Sequence, residues 1–218
     1  MNDSIQTFAV YVLPVLFAIT LHEAAHAYAA KYFGDPTAYQ LGRMSLNPIK
    51  HIDPVGTLLI PIVLFLINSP FLFGYAKPVP IDFGRLNNPK RDMAWVALAG
   101  PASNFVMAFG WLLLSFVLYS FDVSEPFFLK MAKAGVDINL VIFAFNLIPL
   151  PPLDGGRILC SLLPHRQAYQ YSKLEPYGFF IVLALLYFGQ LRFWMTPVIG
   201  ATQFVLQFLL LPLTFFSN

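Results

Sequence analysis

Four stretches of this chain are almost unbroken apolar runs: Phe8–Thr20, Val55–Ile67, Trp95–Tyr119 and Phe179–Phe188. A run of roughly 20 apolar residues is long enough, as a helix rising about 1.5 Å per residue, to cross a hydrocarbon core about 30 Å thick. Only 11% of the 218 residues are charged and 58% are hydrophobic. Ordinary soluble domains carry about 25% charged residues. The expected fold class is therefore an all-α polytopic membrane protein, with about five or six transmembrane or re-entrant segments. Residues 1–218 are read as one integral membrane domain, with a core over about 6–163 and accessory membrane segments over about 174–216.

The punctuation between the runs sets the segments. A first helix is expected from about residue 6 to Phe33, ending at Gly34-Asp35-Pro36. Residues 35–54 are polar, with turn signals at Asn47-Pro48 and Asp53-Pro54. Residues 55–73 are apolar but contain Pro61 and end near Ser69-Pro70. Residues 74–91 hold Pro78, Pro80, Gly84 and Pro89 and read as extended. A long helix is expected over about Asp92–Phe121, and another over about 136–163, interrupted at Pro149, Pro151 and Pro152. Two further segments cover about 177–191 and 194–216. Met1–Gln6 has no basic residue, so a cleavable secretory signal is not expected. Cys160 is the sole cysteine and cannot form an internal disulfide.

Lysine and arginine concentrate in cytoplasmic loops. None precedes the first helix, whereas Lys31, Arg43, Lys50, Lys77, Arg85, Lys90 and Arg91 follow it and precede the next long one. Both loops are expected to be cytoplasmic, with the N-terminus outside. Segment 55–73 then dips in and returns; the alternative is a full crossing with one loop against the rule. Arg157, Arg166 and Lys173 also fall inside; Lys130, Lys133 and Arg192 fall outside. The net charge of +2 is dispersed, and nothing suggests a nucleic-acid partner. The lipid bilayer is the expected surrounding, in the cell (inner) membrane.

His22-Glu23-Ala24-Ala25-His26 sits inside the first apolar helix. A charged side chain there costs about 2.5–3.5 kcal/mol even on a lenient insertion scale. Residues four apart share a helix face, so His22 and His26 can bind one metal ion while Glu23 takes a proton from water. A catalytic zinc has three protein ligands and an open position. His51 and His165 lie in polar loops and are expected to be solvated. Asp154 lies in a long apolar segment, between the proline run and Gly155-Gly156. It is the expected third ligand, with helix capping as the alternative role. Asn146 could donate to a developing oxyanion or hydrogen-bond between helices. Asn104, in Gly100-Pro-Ala-Ser-Asn104, reads as packing first and substrate contact second. A metal transporter or non-proteolytic metal-binding scaffold is the rival function. Transporters often carry repeats, and none is visible here.

Together, His22-Glu23-x-x-His26, Gly100-x-x-x-Asn104 and Asn146 to Gly155 resemble the site-2 protease family of intramembrane zinc metalloproteases. Gly74-Tyr-Ala-Lys-Pro-Val-Pro80 is similar to the stretch before the second core helix in its small members. The resemblance covers about residues 8–163. It implies one Zn2+ on His22, His26 and Asp154, with Glu23 as general base. It implies membrane-spanning protein substrates cut within the bilayer, at a site opening toward the cytoplasm. It also implies a small membrane-associated β-hairpin, within about residues 40–90, whose edge receives the substrate. Unlike the family's larger members, these 218 residues are not expected to include a PDZ or nucleotide-sensing domain.

Overall fold

A computed structural model of the chain describes residues 2–66 and 76–214. Nine helices run through them: α1 Asn2–Tyr32, α2 Thr37–Gln40, α3 Ile60–Leu66, α4 Pro89–Ser120, α5 Pro126–Asn146, α6 Asp154–Leu162, α7 His165–Ser172, α8 Glu175–Tyr187 and α9 Arg192–Thr214. Three stretches are long and apolar enough to cross a membrane: Phe8–Tyr32, Pro89–Ser120 and Arg192–Leu213. The protein is an integral membrane protein.

The all-helical expectation matches this architecture, but the expected β-hairpin does not. Among the described residues there is no strand. Residues 67–75, the far end of the expected re-entrant segment, lie outside the described residues. Much of the rest of the expected hairpin region forms loops, 3-10 turns at Pro48–His51 and Phe83–Arg85, and a π-helical stretch Pro54–Leu59 that runs into α3. The stretch 77–80 illustrates why no ladder forms. Pro78 and Pro80 have no N–H to contribute. The Lys77 N–H donates to the His51 carbonyl at 2.9 Å, and the Val79 N–H donates to Glu23 Oε2 at 2.8 Å.

The end of α1 is built as its sequence predicts. Gly34 takes φ +109°, and the Asp35 and Gly34 N–H groups reach back to the carbonyls of Ala30 and Lys31. This is the glycine-terminated cap that closes many helices. The start of α4 is also fixed locally: Pro89 occupies its first turn, and Asp92 Oδ2 accepts from the Asn88 N–H at 2.7 Å. The Asn87 N–H donates to the Phe33 carbonyl at 2.8 Å. The connection from α1 to α4 therefore returns to the level at which it left.

α4 is the hub, packed against α1, α5, α6 and α9. Ala108, Leu140 and Leu206 bring α4, α5 and α9 into one core, with Phe105, Phe109 and Ile199 around it. Trp194 Nε1 donates to the Ala144 carbonyl at 2.9 Å and ties α9 to α5. The interruption expected at Pro149, Pro151 and Pro152 falls where the structure has a turn over 147–153, which separates α5 from α6; α5 itself begins earlier than expected, at Pro126. Tyr171 donates to the Pro149 carbonyl at 2.6 Å and braces that turn.

Gly178 of α8 presses on the same turn. A Cβ placed there would lie 1.7 Å from the Pro151 carbonyl oxygen and 2.6 Å from its carbon. Backbone cannot yield as a side-chain tip can. Gly178→Ala is expected to cost about 2 kcal/mol, as overpacking does, whereas Gly189→Ala tests only the strain of its left-handed backbone, because space there is open. Thermal unfolding of both variants in detergent checks the contrast: Gly178→Ala should lower the transition temperature more than Gly189→Ala does.

Candidate metal centre

His22 and His26 lie one turn apart on α1, and Asp154 is the first residue of α6. All three are buried. His22 Nε2 and His26 Nε2 are 3.1 Å apart, and each approaches Asp154 Oδ2, at 3.2 and 3.3 Å. Among the described residues this is the group of His, Cys, Asp and Glu side chains that could hold a metal ion.

The hydrogen bonds behind the rings determine what the three atoms present to one another. His22 Nδ1–H donates to Asn104 Oδ1 at 2.6 Å. The orientation of the Asn104 amide is fixed in turn, because its Nδ2 donates to the Ala18 carbonyl at 3.2 Å and to Asn139 Oδ1 at 3.0 Å. His26 Nδ1–H donates to the Val96 carbonyl at 2.7 Å. With the protons on Nδ1, both neutral rings turn lone pairs inward. Asp154 Oδ2 is itself buried without a hydrogen-bond donor. Three electron-rich atoms thus face one another in a buried place, an arrangement that a cation relieves and that water-poor protein otherwise disfavours. Two imidazoles and one carboxylate, with outer partners fixing the tautomers, form a donor set suited to catalytic zinc.

Local sequence accounts for the convergence. The H-E-x-x-H spacing places both rings on one face of α1. Gly100 lets α4 come down on them: a Cβ there would meet His26 Nε2 at 2.3 Å and His22 Cε1 at 2.7 Å. Gly155 lets the start of α6 fold back on the turn before it, because a Cβ would lie 2.4 Å from the Leu147 carbonyl oxygen. Asp154 does not cap α6: Leu153 holds the capping position, with no side-chain cap.

Glu23, one residue along, is half-buried and points one oxygen at the Val79 N–H. Asn104 is fully buried behind His22, with its amide spent on His22, Ala18 and Asn139. Asn146 donates to the Ile142 carbonyl within its own helix, at 3.1 Å. His51 corrects the sequence expectation of a solvated histidine: it is 2% exposed, and its Nε2–H donates to the Ser45 carbonyl. His165 is exposed, as its polar loop suggests. Sequence reasoning missed Asn139, which is fully buried and donates to the Gly135 carbonyl at 2.8 Å. Its signal was an uncharged amide in an apolar helix, where a partner is obligatory.

A helical membrane protein with a buried His–His–Asp cluster beside a glutamate falls in the class of membrane-integrated metalloenzymes. The chain belongs to peptidase family M50, the site-2 protease family, and is a zinc metalloprotease, a hydrolase acting on peptide bonds. The family model "Peptidase family M50" matches residues 122–189, which include Asp154. "Putative zinc metalloprotease YwhC" of Bacillus subtilis is 39% identical over 182 residues, covering 80% of this chain and 78% of that protein. "Putative zinc metalloprotease Rip2" of Mycolicibacterium smegmatis is 28% identical over 210 residues, covering 92% of this chain and 78% of that protein. "Zinc metalloprotease MJ0392" of Methanocaldococcus jannaschii is 25% identical over 193 residues, covering 88% of this chain and 45% of that protein. No solved structure matches the chain.

Two substitutions probe the centre from behind. Gly100→Ala should displace an imidazole and lower bound zinc below half of wild type, while Gly110→Ala on the same helix, where nothing lies within 4 Å, should leave it unchanged. Asn104→Leu should weaken zinc binding by about 10- to 100-fold, the usual range for lost outer partners of a ligating histidine. Elemental analysis of purified protein and competition with a chromogenic chelator read both results.

Proposed function

We propose that this zinc metalloprotease cuts single membrane-spanning protein segments within the bilayer, with one zinc held by His22, His26 and Asp154 and with Glu23 as general base. The observation that carries the reading is the inward convergence of the His22, His26 and Asp154 lone-pair atoms inside the membrane bundle. His22 is about ten residues, or roughly 15 Å, from the Tyr32 end of α1. That depth suits a bond inside a substrate's membrane span.

Zinc bound there supplies a Lewis acid and a water that ionises near neutral pH. The remaining tasks fall to the chain. Asn104 and the Val96 carbonyl hold the imidazoles in the tautomer that leaves Nε2 free. Glu23 accepts the proton of the attacking water and passes one to the leaving nitrogen. Val79 holds one carboxylate oxygen, and among the described residues no donor occupies the other. Asn146 donates one amide N–H to the Ile142 carbonyl within its own helix, which leaves its second N–H as a donor for the developing oxyanion. A substrate helix has to unwind before its peptide carbonyl can reach the site, because a helical carbonyl is already hydrogen-bonded.

The orientation is part of the proposal. Lys31, Arg43, Lys50, Lys77, Arg85, Lys90 and Arg91 flank the junction of α1 and α4, whereas Lys130 and Lys133 lie on α5. The bias of lysine and arginine toward the cytoplasm supports an outside N-terminus and a cytoplasmic opening, and residence in the cell's inner membrane is part of the same proposal.

The test is cleavage of single-span model substrates by the purified chain. Glu23→Gln should keep its zinc and lose activity by about 10²- to 10⁴-fold, the range for removing a general base. Chelation should abolish cleavage, and added zinc should restore it. Placing Leu for Pro or Gly near the cut should slow it. Zinc-loaded protein that cuts no substrate in a broad panel would overturn the proposal.

A further inference from the structure

The loop from α1 to α4 lays a short strap, Lys77-Pro78-Val79-Pro80, across Glu23. Its two prolines leave it two N–H groups, and both are committed. Lys77 donates to His51 and Val79 to Glu23. The strap's carbonyls are held from the other side. An Arg43 Nη donates to the Lys77 carbonyl at 3.0 Å and to the Pro78 carbonyl at 3.3 Å. The Pro78 carbonyl and the Val79 N–H belong to the same peptide unit. A guanidinium therefore grips one edge of that peptide while a carboxylate accepts from the other.

This arrangement differs from ordinary loop packing in its electrostatics. Hydrogen bonds to charged groups are about twice as strong as neutral ones, and a chain of them polarises each link. A cation on the carbonyl makes the N–H a better donor to Glu23. The strap is also fixed at both ends. The Val79 side chain is buried against Ala27 of α1 and Ala38 of α2. Beyond it, the Asp82 N–H donates to Asp35 Oδ2 at 2.7 Å, and Asp35, fully buried, also accepts from the N–H and hydroxyl of Thr37. Arg43 is placed by its own backbone, whose N–H donates to the Ala38 carbonyl at 2.8 Å.

We propose that Arg43 is a positioning residue for catalysis, acting through the Pro78–Val79 peptide to hold the Glu23 carboxylate in place. The inference rests on Glu23 being the base. It explains why the segment over the site carries two prolines: they remove competing donors, and among the described residues they leave the Val79 amide as the one N–H that meets the carboxylate. Arg43 touches neither substrate nor zinc in this scheme. Its loss should therefore change turnover and leave substrate affinity and metal content alone.

The experiment compares wild type, Arg43→Ala, Arg43→Lys and Glu23→Gln as purified full chains in detergent, with one single-span substrate. Arg43→Ala is expected to lower kcat about tenfold or more, the worth of a charge-assisted hydrogen bond, with KM and zinc content within twofold of wild type. Added methylguanidinium should restore part of that kcat. Arg43→Lys, which keeps the charge without the planar fork, should fall between. Hydrogen exchange of the peptide covering 76–82 should be faster in Arg43→Ala. Wild-type kcat in the alanine variant, or a loss that methylguanidinium leaves untouched, overturns the proposal. If the alanine variant does not fold, wild-type kcat in Arg43→Lys overturns it as well. Glu23→Gln separates the two readings: if it stays active, the base assignment fails, whatever Arg43 does.

Discussion

The hydrogen bond from His22 Nδ1–H to Asn104 Oδ1 decides which side of the imidazole looks at Asp154. Much of the bundle is arranged to keep that bond. Asn104 is fully buried, and each of its amide hydrogens has a destination, one on α1 and one on α5. Gly100, one turn earlier, brings α4 close enough for the contact. Asn139 then passes the constraint to the Gly135 carbonyl, and the missing Cβ of Gly135 leaves room for the Trp111 ring. A polar thread thus runs from the metal centre through three helices. In a membrane each link is costly to leave unmade, so the thread fixes how the helices register.

Much of this was legible in the sequence, for one physical reason. His22, Glu23, His26 and Asp154 stand out because the bilayer makes such residues expensive, so their presence asks for a purpose. The end of α1 was legible because Gly34 announces its own left-handed turn. Asn139 was not, because an amide costs less than a charge and its partners are distant in the chain. His51 was misjudged because a polar local sequence says nothing of what folds over it. The break between α5 and α6 was visible in the prolines. The start of α5 at Pro126, ten residues before the expected helix, was hidden by charges that lowered the apparent apolar run.

The missing hairpin shows a different limit. A family resemblance carries a fold element over as a whole, but whether the element forms depends on donors and acceptors residue by residue. Here the strap between His51 and Asp35 spends its N–H groups on a loop carbonyl and on Glu23. The proline spacing that makes it a poor strand makes it a good clamp. One local chemistry, the absence of an N–H, removed one structure and supplied another.

Asp154 lies far along the chain from the two histidines it meets, at the head of a helix that follows α5. A chain still emerging from the ribosome carries His22 and His26 in the bilayer with no carboxylate opposite them. The centre closes only when α6 has been laid against α4 and the turn over 147–153 has set. The metal centre of this hydrolase therefore cannot be complete until the chain has been made through the start of α6, about 130 residues after its first ligand.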